Sequence, residues 1–234
     1  MPDQTTTPRI KPPPERLYGR QTGHALRPRQ ERLLAETLPR LRVDPTAPLA
    51  ALAGCREIWL EVGAGGGEHA RALAAAHPTA GIIACEVFRN GLCSLLGPLV
   101  AEGAEATGAL PANLRVWDDD ARVLLRALAD AALDRLYLMF PDPWPKARHA
   151  KRRLVHPHML PLLARVLKPG AEWRLASDDP TYQSWVEQVM AAQALFAPAS
   201  DSWERPAGWP PTRYEAKALR AGRRPRYWVF TRRR

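Results

Sequence analysis

Residues 140–153 read FPDPWPKARHAKRR. Asp142 stands between Pro141 and Pro143, Trp144 follows, and Lys146, Arg148, His149, Lys151, Arg152 and Arg153 crowd in behind. Prolines fix φ and remove backbone donors, so a loop built this way holds its one acid in a defined place. Such an acid can stabilise positive charge as it develops on a reacting group. The indole offers a flat face to a base, with packing against the core as its equal alternative. The cations suit phosphates, and Arg152 and Arg153 can equally pair with acids of the fold.

A second group lies upstream. LEVGAGGGEHARAL places Glu61 just before Gly63, Gly65 and Gly67. Alternate glycines let a backbone turn sharply and approach a ligand without Cβ atoms in the way. In the dinucleotide fingerprint the third glycine would fall at position 68, which is Glu68. A carboxylate at a helix start is unwelcome to a pyrophosphate, which opposes a nicotinamide dehydrogenase. A ligand without phosphate fits better, and S-adenosylmethionine brings a sulfonium and an amino group that suit a nearby Glu61. Glu86 ends the run IIACE nineteen residues past Gly67. There it is placed to accept both hydroxyls of a ribose. Asp120 follows LRVW at a predicted helix start and can take an adenine amino group, although for Asp120 alone a helix cap is the plainer reading. Asp118 and Asp119 read as solvated loop acids.

These residues need a frame that gathers them. The runs IWLEV, GIIACEV, LRVW, LDRLYLMF and AEWRLA predict buried strands. EHARALAAAH, RNGLCSLLGPLVAE, ARVLLRALAD and HPHMLPLLARVL predict helices between them, the last ended by Pro169-Gly170. A further helix over DDPTYQSWVEQVMAAQ and a last strand over YWVFTRRR complete the pattern. The alternation predicts α/β architecture, a mostly parallel sheet with helices on both faces. Glu61, Glu86, Asp120 and Asp142 then fall at the carboxyl ends of four successive strands, where ligands of open α/β sheets bind. Ahead of this domain, residues 1–15 hold five prolines and predict a disordered arm. Residues 16–54 form a basic segment with a helix from about Pro28 carrying Leu33, Leu34 and Leu38, and residues 55–234 form the main domain with a basic C-terminal segment.

Charge follows the same division. The net +10 comes from the flanks: nine Lys and Arg against five acids over residues 1–54, and ten against three over 201–234, with a centre near −1. A neutral fold with basic extensions points to a polyanionic partner, with solvated tails as the equal alternative. No apolar run is long enough to span a membrane, and no apolar h-region marks a secretory signal. Cys55, Cys85 and Cys93 are odd in number and lack paired spacing, which fits free thiols in the cytoplasm and no metal site. Trp59, Trp173 and Trp228 read as core, and His69 and His77 as surface or packing residues. The oligomeric state, monomer or homodimer, stays open.

PDPWPKARHAKRR, with LEVGAGGGEH before it and LASDDPTY and PTRYE after it, closely resembles the bacterial tRNA (guanine-N7-)-methyltransferases. The resemblance runs from about Tyr18 to the C-terminus. It implies a Rossmann-like class I methyltransferase fold, S-adenosylmethionine as donor, tRNA as partner, and N7 of the variable-loop guanine (position 46) as target. By motif it implies a cofactor site of Glu61, Gly63, Gly65, Gly67, Glu86, Asp120 and Asp142, with Asp142 catalytic. Lys146, Asp178, Thr212, Arg213, Tyr214 and Glu215 would contact the substrate. Two readings compete: an amine methyltransferase, whose loop has the order D/N-P-P-Y and not P-D-P-W, and a non-catalytic RNA-binding protein on the same fold.

Overall fold

A computed structural model describes residues 21–234. The proline-rich arm, residues 1–15, and the start of the basic segment lie outside the described residues. Five strands run parallel: β1 (Glu57–Val62), β2 (Ala80–Cys85), β3 (Leu114–Trp117), β4 (Leu133–Met139) and β5 (Leu167–Ser177). Two more, β6 (Phe196–Ser202) and β7 (Arg226–Arg232), complete a sheet ordered β3-β2-β1-β4-β5-β7-β6, in which β7 is antiparallel to both neighbours. The central strands are apolar because both of their faces are covered.

Two core clusters mark the two faces. One joins Leu60 and Ile83 to α5 (Ala121–Ala127), α6 (Leu160–Val166) and α7 (Pro180–Ala191) through Leu124, Leu163 and Val186. The other joins Trp59 and Ile82 to α3 (Glu68–Ala76) and α4 (Arg89–Leu96) through Leu73 and Leu95. Trp59, Trp173 and Trp228 are buried, as their apolar contexts predict.

The N-terminal helical run covers residues 28–41: α1 (Pro28–Arg32), a π-turn (Leu33–Thr37) and α2 (Leu38–Leu41). The Leu38 N–H bonds back to the Leu33 carbonyl, and this i→i+5 turn lets Leu33 and Leu38 both face the core. The basicity of this run holds it to the domain. Arg29 and Arg32 converge on Glu105, which is 1% exposed, and Arg40 donates to the Glu105 and Gly108 carbonyls. A buried carboxylate needs such partners. Arg42 reaches Asp118 at 2.6 Å, so Asp118 is paired with a cation, where the sequence suggested a solvated acid.

Three features differ from the sequence reading. The helix before β5 ends at Val166, and Pro169-Gly170 lies inside the range of β5, beside a register shift opposite Leu133 and Arg135. β6 went unrecognised because FAPASDS hardly alternates; as an edge strand it tolerates Pro198, and its register shifts there. α8 (Arg213–Arg220) is polar, burying only Glu215 and Ala218, so it lacks an apolar face to announce it.

Candidate active site

The carboxyl ends of β1, β2, β3 and β4 open onto a cavity of about 420 Å³, within the roughly 300–1,000 Å³ of small-molecule sites. Val62, Gly63, Gly65, Glu86 and Asp120 line it together with Phe140, Asp142, Trp144, Lys151 and Arg153.

The glycine turn follows from backbone conformation. Gly65 has φ 59°, and a Cβ there would lie 3.1 Å from the Tyr214 ring. Gly67, at φ 70°, is the cap residue just before α3, and a Cβ on it would come within 2.4 Å of Leu95 Cγ, so only glycine fits. Glu86 braces this turn. Its Oε2 accepts from Gly65 N at 2.6 Å, and its Oε1 accepts from Val87 N at 2.8 Å and Phe88 N at 2.7 Å. Burial pushes its carboxyl above the ordinary range, the three N–H groups pull it back, and the charge of Asp142 adds a smaller upward push. Asp120 caps α5 through Arg122 N at 2.9 Å and also receives the Arg122 guanidinium. The cap reading therefore holds for one of its oxygens while the residue still lines the cavity.

Glu61 stands behind the turn, 2% exposed, with Oε2 at 3.1 Å from His69 Nδ1, and it does not line the cavity. His69 is a buried packing residue whose ring meets Tyr137 edge-on at 5.0 Å.

The Asp142 loop is strained and strapped. Phe140 and Trp144, on either side of Asp142, have φ of 52° and 45°, values that bulky side chains rarely adopt. Phe140 N is fixed to the Ala176 carbonyl at 2.8 Å. Asp142 is exposed and, among the described residues, accepts no hydrogen bond, which leaves its oxygens available to a ligand. Trp144 is half-buried, with the Arg152 guanidinium 4.6 Å from its ring centroid, so one face is already stacked. Lys146 and Arg148 are exposed along the same loop. Arg153 is not: it is 5% exposed and donates to the Pro143 and Trp144 carbonyls, each at 2.9 Å. It is no surface phosphate clamp.

The T-R-Y-E motif divides in two. Thr212 and Glu215 form a capping box at the start of α8 and are 9% and 8% exposed. Glu215 also accepts from Tyr227 Oη at 2.9 Å and Arg205 Nε at 3.0 Å. Arg213 and Tyr214 instead reach the glycine turn, and Tyr214 lines the cavity. Asp178 pairs with Arg223 at 2.5 Å, away from the cavity lining. The sequence reading missed Arg122, Tyr182 and Met159, which also line the cavity; DDPTY and HPHMLP carried the last two unread.

A parallel sheet whose strand order turns at β1, with one reversed strand, β7, beside its far edge and a braced glycine turn at its strand ends, has the Rossmann-like architecture of the class I, S-adenosylmethionine-dependent methyltransferases. The solved 16S rRNA methyltransferase KamB superposes with a TM-score of 0.57 at 18% identity, covering 79% of this chain and 91% of its own. The 16S rRNA (adenine(1408)-N(1))-methyltransferase from Catenulisporales acidiphilia gives 0.55 at 16%, covering 82% and 94%. Those likenesses concern the fold. Residues 55–226 match the family described as "Putative methyltransferase". The tRNA (guanine-N(7)-)-methyltransferase of Granulibacter bethesdensis is 64% identical over the whole of both chains. That of Paramagnetospirillum magneticum is 45% identical over 93% of each. This chain belongs to the tRNA (guanine-N(7)-)-methyltransferase family.

The residues present fit the donor. Glu86 retains acceptor capacity at the cavity wall, and Gly63 leaves its side open, with nothing within 4 Å of where a Cβ would stand. The first residue of α3 is Glu68, whose carboxylate opposes a phosphate there. Among the described residues no helix is long and apolar enough to cross a membrane.

Proposed function

We propose that the chain transfers a methyl group from S-adenosylmethionine to N7 of the variable-loop guanine of tRNA. The observation that carries this reading is one cavity lined by both Glu86 and an exposed Asp142 that, among the described residues, has no hydrogen-bond partner and sits on a basic loop. The names of the relatives supply the class of nucleic acid and the atom.

Bound donor supplies an electrophilic methyl group on a sulfonium. N7 of guanine has an in-plane lone pair and no proton, so the chain need not provide a general base. Its work is alignment, holding reacting atoms about 3 Å apart and in line. Gly63, Gly65 and Glu86 hold the donor, with Glu61 at the end of β1 just before the turn and Gly67 just ahead of α3. Asp142 accepts from the guanine edge, whose N–H groups grow more acidic as the purine gains charge, and this contact strengthens toward the transition state. Lys146, Arg148 and Lys151 take phosphates. Asp178, if it meets the base, shares its carboxylate with Arg223. Arg213 and Tyr214 close the donor end from above, while Thr212 and Glu215 hold α8 in place for them. The tRNA partner implies a cytoplasmic setting, and a monomer or a homodimer would serve because one chain supplies every cavity residue named.

Incubation with unmodified tRNA and donor, followed by borohydride–aniline cleavage, should cut the tRNA at its variable-loop guanine. Methyl incorporation without cleavage would favour the amine reading. Donor binding with no incorporation into any tRNA would favour the non-catalytic one.

A further inference from the structure

Arg153 belongs by sequence to a run of cations, yet its surroundings are those of a structural strap. At 5% exposure it is the buried member of a run whose Lys146, Arg148 and Lys151 are exposed. Its guanidinium lies 4.8 Å from the Trp185 ring and 5.7 Å from that of Tyr182. Trp185 is itself fixed through Nε1 to the Val155 carbonyl at 2.6 Å. On this aromatic shelf the guanidinium directs Nε to the Pro143 carbonyl and Nη2 to the Trp144 carbonyl, the two residues that follow Asp142. The loop needs such a fixture. Phe140 and Trp144, at φ 52° and 45°, hold backbone conformations that persist only where surrounding contacts impose them. Pro143 has no N–H, which leaves its carbonyl as the one backbone group through which hydrogen bonding can hold it.

We infer that Arg153 is a positioning residue: its two-pronged donation to the Pro143 and Trp144 carbonyls sets where Asp142 stands over the cavity, and it takes no part in gripping tRNA phosphates. The inference rests on the proposed function for its activity readout only. Arginine matters here for its fork, since a lysine keeps the charge but presents one point donor and loses the flat stacking surface.

Arg153→Lys, Arg153→Met and, as a contrast, Arg148→Gln test this. Arg153→Lys and Arg153→Met should each lower kcat by roughly 10- to 100-fold, the scale of small misplacements at a reacting centre. Their tRNA affinity and its salt dependence should stay within about twofold of the native chain. Arg148→Gln should weaken tRNA binding and lower the slope of log affinity against log salt by about one. Hydrogen exchange over residues 140–153 should quicken in both Arg153 variants and stay native in Arg148→Gln. Should the Arg153 variants fold poorly, Trp185→Leu, which removes the shelf and keeps the charge, should quicken the same amides and lower kcat with tRNA affinity retained. Native kcat in Arg153→Lys together with a salt-dependent loss of tRNA affinity in Arg153→Met would overturn the inference. Native loop exchange in all three variants would overturn it as well. If the native chain methylated no tRNA while the exchange results held, the proposed function would fail and the strap would stand.

Discussion

Glu86 makes a quantitative prediction about the donor. A carboxylate offers about four acceptor sites, two on each oxygen. Val87 N and Phe88 N fill both sites on Oε1, and Gly65 N fills one on Oε2. One site remains, so with the turn intact Glu86 can receive a single ribose hydroxyl, not the pair expected from its place in the sequence. A hydrogen bond to a charged acceptor contributes about 1.5–3 kcal/mol, or roughly 10- to 150-fold in affinity. Calorimetric titration with S-adenosylhomocysteine and with its 2′-deoxy and 3′-deoxy analogues reads this directly. One deoxy analogue should lose affinity on that scale and the other should lose much less. In Glu86→Gln the difference between the two analogues should shrink, because the amide nitrogen displaces one acceptor. Equal losses for the two analogues in the native chain would refute the argument, showing that the ligand opens the Gly65 bond or that Glu86 does not meet the ribose.

Other expectations follow from the same contacts. Burial raises the folded-state value for Glu86 above its unfolded one, so its contribution to stability is present at low pH and is lost as pH rises through the raised folded value. Donor affinity should rise across that same window, because the ionised form is the acceptor, and Glu86→Gln should flatten both profiles in urea unfolding and calorimetry. Thr212→Ala should cost about 1 kcal/mol as a lost helix cap. Glu215→Ala, which strands Tyr227 Oη and Arg205, should cost about 2–3 kcal/mol by urea unfolding. Native stability with lost tRNA affinity in Glu215→Ala would instead make it a substrate contact.

The strands that form the site were legible because apolar runs between glycines and prolines leave few alternatives: six of the seven lie within two residues of where their sequences placed them, apart from the extended start of β5. β6 and α8 were opaque because neither buries a periodic apolar face. In the site, Gly63, Gly65, Glu86, Asp120 and Asp142 meet at one cavity as their strand ends require. What spacing could not convey is which polar groups answer one another inside the chain. Arg153, Arg42 and Arg29 look alike in sequence to Arg148, yet two loop carbonyls hold the first and acids 76 residues away hold the other two. The +10 charge therefore overstates the cations open to a partner. Thr212 shows the converse, a motif residue whose side chain caps α8.

Asp142 is where the account is most exposed. Single-turnover methyl transfer by Asp142→Asn, with tRNA and donor both saturating, isolates the side chain's part in the reacting complex. Removing one preorganised electrostatic contact of this kind typically costs about 10²–10³ in rate. A loss on that scale is expected, with both ligands bound as tightly as by the native chain; an unchanged rate would show that the Asp142 carboxylate plays no part in the transfer.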